Sequence, residues 1–272
     1  MTARTNLERS TRQRRSRKKK RGRFIAGLAA VALLVFCFMK VTSLLETAAA
    51  KQHGQGHHAA AKSSDARPQG KTVYLTFDDG PSELTGKLLD VLRQHGVKAT
   101  FFMQGTNLER RSWQSAVKRA VREGHYVGGH SMTHQYKKLY EEGQFVPEMR
   151  ETLSLIHDIT GENPHLVRPP YGSAPGLENQ QLRDQIADDG IKIWDWTIDS
   201  NDWDLKDRPE QIVQNIKKAT TDELEVVLMH EKPQTLQVLP EIIAFYQQEG
   251  YSFGVYDDAK HFHLNFQKDH RL

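Results

Sequence analysis

The sequence predicts an α/β fold of parallel β/α units, closed into a barrel or wound into an open sheet, behind one transmembrane helix. Three observations carry that expectation. Short apolar runs alternate with helical periodicity from Lys71 almost to the C-terminus. Sixteen uncharged residues run from Phe24 to Met39. Polar clusters recur where predicted strands end, which is where β/α barrels carry their chemistry.

Residues 1–45 hold 12 lysines and arginines against the single acid Glu8, whereas the rest of the chain holds 26 basic and 33 acidic residues. The net charge of +4 therefore comes from the N-terminus, the remainder is acidic, and the basic balance is no argument for a nucleic-acid partner. Residues 1–23 read as a basic cytoplasmic segment and 24–45 as a transmembrane signal-anchor. Sixteen apolar residues fall slightly short of the roughly 20 of a usual span, but Lys40 can snorkel and Val41 to Leu45 can extend the helix. By the positive-inside rule the basic block stays in the cytoplasm and everything after residue 45 lies outside. Cleavage at Ala48-Ala49-Ala50 would instead release a secreted protein; the long basic segment and Lys40 favour the anchor. Cys37, the only cysteine, lies in this segment, so the exported part can form no internal disulfide. Residues 46–70 read as a flexible linker in which His53, His57 and His58 are solvated.

From residue 71 the expected order is strand 73–77, helix 84–94, strand 99–103, helix 113–123, strand 126–128, helix 147–160 and strand 166–168. Helix 177–189, strand 191–196, helix 209–219, strand 225–229, helix 236–248 and strand 253–256 follow. About seven strands and six helices result, in a domain spanning 71–262 with a tail at 263–272.

The first strand ends in Thr76-Phe77-Asp78-Asp79-Gly80-Pro81, where two adjacent carboxylates make sense if one ligates a metal and the other is held by a partner; a surface turn is the plain alternative. The third runs into His130-Ser131-Met132-Thr133-His134, two imidazoles at the spacing that lets both reach one ion. With Asp79 they would form a two-histidine, one-carboxylate site suited to zinc or another divalent first-row ion such as cobalt. The fourth ends in Arg168-Pro169-Pro170-Tyr171-Gly172, a rigid turn whose Tyr171 amide could serve an oxyanion. Asp202 and His230 fall after the fifth strand and at the end of the sixth, where a buried acid could orient an imidazole. Trp194 reads as core, and Trp203 does not. Five polar clusters at five strand ends point jointly to an active site.

In order, these clusters resemble the motifs of the NodB-homology polysaccharide deacetylases, carbohydrate esterase family 4, over about residues 71–260. The resemblance implies a distorted (β/α) barrel of about seven parallel strands and metal-dependent hydrolysis of N-acetyl groups. It implies Asp78 as general base, Asp79, His130 and His134 as metal ligands, Arg168 as tether of the base and Tyr171 as oxyanion donor through its amide. It implies His230 as the acid tuned by Asp202, with Trp203 and Leu228 lining the pocket for the acetyl methyl. The motif forms look most like enzymes acting on N-acetylglucosamine, and the anchor with its short linker makes peptidoglycan the expected glycan. Chitin-like or exported poly-N-acetylglucosamine chains, or a catalytically silent glycan-binding role, are the alternatives; no obligate protein partner is implied.

Overall fold

The computed structural model describes residues 67–272. The basic segment 1–23, the anchor 24–45, the cleavage site and all but the last four residues of the linker 46–70 lie outside the described residues. Among the described residues, no helix is long and apolar enough to cross a membrane.

Among the described residues, eight parallel strands form one sheet: β1 (Thr72–Gly80), β2 (Thr100–Met103), β3 (Tyr126–Gly129), β4 (Leu166–Val167), β5 (Lys192–Ile193), β6 (Ile198–Asp199), β7 (Leu224–His230) and β8 (Ser252–Gly254). The order across the sheet is β5-β4-β3-β2-β1-β7-β6. Because β7 runs along β1 from Thr72 to Asp78, the other edge of β1 is shared, with β8 at Thr72–Tyr74 and β2 from Thr76 onward. Among the described residues no ladder joins β5 to β6, so the sheet is a half-barrel rather than a closed one. Residues 262–266 lie along that open edge. Leu264 bridges to Trp194, the Asp195 N–H donates to the Leu264 carbonyl at 2.7 Å, and the indole of Trp194 donates to the Phe262 carbonyl at 2.9 Å. Residues 263–272, set apart as a tail in the sequence, thus pack on the domain, and Leu272 is fully buried.

Among the described residues, seven α-helices cover the sheet: α1 (Thr85–Gln94), the single turn α2 (Gly105–Leu108), α3 (Arg111–Arg122), α4 (Phe145–Thr160), α5 (Gln180–Asp188), α6 (Pro209–Ala219) and α7 (Pro233–Gln248). Their ends follow local chemistry. Prolines open α6 and α7 where the missing N–H costs nothing, the Asn179 side chain accepts from the Gln181 N–H at the start of α5, and Gly161 closes α4 at φ 82°. Each expected helix is present with ends shifted by up to three residues. The expected strand 191–196 is instead the two-residue β5, the Trp194 bridge and a turn into β6.

Strand alternation sorts β1 into two faces. Val73, Leu75 and Phe77 join the large core between sheet and helices, with Leu88, Leu89 and Leu92 of α1 and Ile242 and Ile243 of α7. Tyr74 faces the interior, where Trp194 packs edge-on against it and against Tyr256, with Phe262 alongside at centroid separations of 4.6–5.1 Å. This aromatic plug forms the floor of the half-barrel. At the opposite end, where the strands terminate, the interior positions become polar: Thr76 and Asp78 on β1, Arg168 after β4 and His230 at the end of β7.

Candidate active site

Adjacent strand residues point to opposite faces, so Asp78 and Asp79 could not share a site in a regular strand. A register irregularity between Asp78 and Gly80, with Asp79 at φ 68°, turns the second carboxylate toward the first. The same backbone conformation recurs around the site. Six non-glycine residues among those described have positive φ, and five of them, Asp79, Ser131, His134, Tyr171 and Asn201, lie in the strand-end clusters. Such residues cost about 1–3 kcal/mol each and persist where the surroundings over-determine them.

Asp78 is buried, and its Oδ1 accepts from Nη1 of the fully buried Arg168 at 2.9 Å. Arg168 is committed elsewhere as well, donating to Thr76 Oγ1 at 2.7 Å, the Asp195 carbonyl at 2.8 Å and the Trp194 carbonyl at 3.2 Å. Its guanidinium lies 4.2 Å above the Phe102 ring. A buried cation with four donors satisfied holds its carboxylate partner in one orientation.

Asp79 Oδ1 lies 3.7 Å from Nε2 of both His130 and His134, and one ligand atom from each of the three falls within 4.8 Å of the others. The Arg168 carbonyl lies 2.8 Å from His130 Nδ1. Only an N–H can satisfy a carbonyl there, so Nδ1 carries a proton and Nε2 is the ring nitrogen turned toward the triad and available to a cation. Burial and then the neighbouring His130 push His134 below its ordinary value, which keeps it neutral and able to ligate. Burial works against the ionised form of Asp79, but its interactions with His130, His230, His134 and Lys232 outweigh it and lower its pKa. Two imidazole nitrogens and a carboxylate oxygen on a partly open surface fit a divalent cation.

Across the pocket, His230 Nδ1 lies 2.7 Å from Asp202 Oδ1, while the His230 backbone N–H donates to Asp202 Oδ2 at 2.7 Å. Thr235 Oγ1 donates to the same Oδ2, and Gln234 Nε2 donates to the Asp202 carbonyl at 2.7 Å. Burial alone would lower His230, but the Asp202 hydrogen bond and charge, reinforced by Asp78 and Asp79, raise it above its ordinary value. The imidazolium is therefore available as an acid near neutrality.

Tyr171 is half exposed, its hydroxyl donates to the His134 carbonyl at 3.0 Å, and its ring lies 4.8 Å from that of His134. Its backbone N–H has no acceptor among the described residues, which leaves it free to donate. Trp203 is exposed at the rim, whereas Trp194 is buried. Leu228 sits between Val226 and His230 on one face of β7 and is nearly buried. Every residue that the sequence singled out for chemistry after residue 70 lies at this end of the sheet.

Several supporting residues were missed by sequence reasoning. Buried Asp195 accepts from the Ser173 N–H and hydroxyl at 2.8 and 2.5 Å and from the Phe266 N–H at 2.7 Å, which fixes the chain beneath Tyr171-Gly172. Glu231 accepts from Ser82 Oγ and Thr85 Oγ1 at 2.5 and 2.6 Å, tying the turn after Asp79 to the end of β7, and burial pushes its carboxyl up to about 7. Acids of this kind look like surface residues in a sequence, and only the buried polar residues around them mark them out.

The geometry defines a hydrolase site in which a tethered carboxylate, a cation-binding triad and a carboxylate-backed imidazolium converge. The polysaccharide deacetylase family pattern matches residues 65–194. A peptidoglycan-N-acetylglucosamine deacetylase of Bacillus cereus is 43% identical over 264 residues, 91% of this chain and 95% of that one. Among solved structures, the polysaccharide deacetylase Bc1974 from Bacillus cereus is 47% identical with a TM-score of 0.72, covering 74% of this chain and all of that one. A family 4 carbohydrate esterase from Streptomyces lividans, in complex with acetate, is 34% identical with a TM-score of 0.61, covering 71% of this chain and 96% of that one. The chain belongs to the polysaccharide deacetylase family, carbohydrate esterase family 4, and is a hydrolase acting on amide bonds.

Proposed function

We propose that this chain removes N-acetyl groups from N-acetylglucosamine residues of peptidoglycan, releasing acetate, with one divalent cation, zinc or cobalt, held by Asp79, His130 and His134. The observation that carries the reading is the convergence of that triad with the Asp78–Arg168 and His230–Asp202 pairs on one pocket, in a chain matching 95% of a peptidoglycan-N-acetylglucosamine deacetylase. When bound, such a cation acidifies water and polarises the acetamide carbonyl.

The residues supply the rest. Asp78, oriented by Arg168, accepts the proton of the attacking water. The new C–O bond converts the acetamide carbon to a tetrahedral intermediate, whose oxygen the Tyr171 N–H can meet; one such donor is worth about 10²–10³ in rate. His230, charged and oriented by Asp202, delivers a proton to the nitrogen as the C–N bond breaks, so that the products are acetate and a free amine. Leu228 and Trp203 frame the space for the acetyl methyl and its sugar. The basic block and apolar run of residues 12–39 support a location on the outer face of a membrane, where the linker keeps the domain near nascent wall glycan.

The test is acetate release by the purified full chain from intact peptidoglycan and from chitin oligomers, with zinc and with a strong chelator. Release from peptidoglycan that the chelator abolishes and zinc restores is expected. Release from chitin oligomers with none from peptidoglycan contradicts the substrate, and release that survives complete metal removal contradicts the role of the triad.

A further inference from the structure

We propose that Glu148, on α4 and outside every cluster the sequence singled out, is a positioning residue that sets the affinity of the triad for its cation by holding the loop that carries His134. The proposal rests on the reading of Asp79, His130 and His134 as a cation site.

The loop His130–His134 places two ligands with two residues in the left-handed region, Ser131 at φ 61° and His134 at φ 57°. A backbone of this kind relaxes unless its polar groups are all engaged. The Ser131 carbonyl accepts from the Gly105 N–H at 2.8 Å, and the Met132 carbonyl accepts from the Thr106 N–H at 3.1 Å. The His134 N–H donates to Ser131 Oγ at 2.9 Å, and the His134 carbonyl accepts from the Tyr171 hydroxyl. Two further loop donors are the N–H groups of Met132 and Thr133. Both donate to one atom, Glu148 Oε2, at 3.0 and 2.9 Å. Thr133 Oγ1 lies 2.9 Å from Oε1, and Lys138 Nζ reaches Oε1 at 3.1 Å.

Three donors from the loop therefore converge on a single carboxylate whose side chain is 5% exposed, while the part-exposed Lys138 pairs with it from outside the loop. An ionised carboxylate accepts at both oxygens and donates nothing, which suits this cage. A glutamine has one acceptor oxygen and would turn its NH₂ toward Thr133 or Lys138. The two histidines differ in what holds them: His130 follows directly on β3 and is fixed through Nδ1 by the Arg168 carbonyl, while His134 depends on the loop. Weakening the Glu148 cage should thus release His134 and spare His130.

The experiment is a zinc titration of the full chain in competition with a chromophoric chelator, together with the visible spectrum of the cobalt-loaded protein. Glu148→Gln should weaken zinc binding about 10- to 100-fold, the usual effect of removing a partner that orients ligands, and should alter the cobalt bands. Lys138→Met, which removes only the outer ion pair, should leave zinc affinity within about twofold. Folded Glu148→Gln protein with wild-type circular dichroism, zinc affinity and cobalt spectrum would overturn the proposal. If that variant does not fold, Thr133→Ala keeps the charge and removes the hydroxyl donor; about fivefold weaker zinc binding is expected, and unchanged affinity overturns the proposal. A wild-type chain that binds no zinc contradicts the underlying reading of the triad instead.

Discussion

The two ends of the half-barrel each hold a largely enclosed histidine, and the two are opposite in character. At the strand C-terminal end, His230 is backed by Asp202 at 2.7 Å and its pKa is raised. At the other end, His125 precedes β3, its Nδ1 accepts from the Ala99 N–H at 3.0 Å, and burial with the nearby charge of Lys98 pushes it down to about 4. A backbone N–H can only donate, so the proton of neutral His125 sits on Nε2, which has no partner among the described residues. Burial alone makes a histidine a neutral packing element, and a hydrogen-bonded carboxylate turns it into an acid. The same contrast separates the two ends generally: one concentrates buried charge and left-handed backbone, the other closes on an aromatic plug.

Substitutions can break that contrast from either side. The largest effect is expected at the acid: His230→Gln should lower kcat for acetate release by about 10²–10⁴. Asp202→Asn keeps the shape but removes the charge. A hydrogen bond to a charged group contributes about 1.5–3 kcal/mol, so the alkaline limb of the pH profile, set by loss of the His230 proton, should move down by about one unit or more. A profile unchanged between wild type and Asp202→Asn would mean that His230 is not the acid.

The smallest effect is expected at the opposite end and concerns stability. Folded His125 has a lower pKa than the roughly 6.5 of the unfolded chain, so the unfolded state takes up the proton first. Stability therefore falls as pH drops through 6.5 and levels off below about 4, a loss on the order of 3 kcal/mol from this one group. His125→Asn retains an acceptor for the Ala99 N–H and does not titrate. Urea unfolding at pH 7 and pH 4 should show an acid-induced loss smaller by about that amount. An equal loss in both proteins would place the acid sensitivity elsewhere.

The catalytic end was the more legible of the two in the sequence, for a physical reason. Its residues lie in short contiguous runs at strand ends, so Asp78-Asp79, His130 with His134, and the Arg168 to Gly172 turn announce themselves by type and spacing. The regular alternation of β1 and the helical periodicities of α1, α6 and α7 were readable because one face of each is apolar. Residues acting from a distance were not. Glu148 sits in an amphipathic helix, where an acid reads as surface, and Asp195 lies inside what looked like one continuous strand. The β5–β6 break escaped because two-residue strands carry no periodicity, and the opening there depends on Leu264 pairing with Trp194 across about 70 residues of chain. Positive φ at Asp79, Ser131, His134 and Tyr171 was equally invisible, since none is glycine.

The central claim is that two neighbouring carboxylates, turned together by an irregular strand end, have different work: Asp79 binds the cation and Asp78 moves the proton. Zinc content and acetate release measured side by side for Asp78→Asn and Asp79→Asn test it most directly. Asp78→Asn should retain stoichiometric zinc and lose about 10²–10⁴ in kcat, while Asp79→Asn should lose the zinc itself. Loss of zinc in both variants, or full turnover with Asn at position 78, would contradict the division of labour.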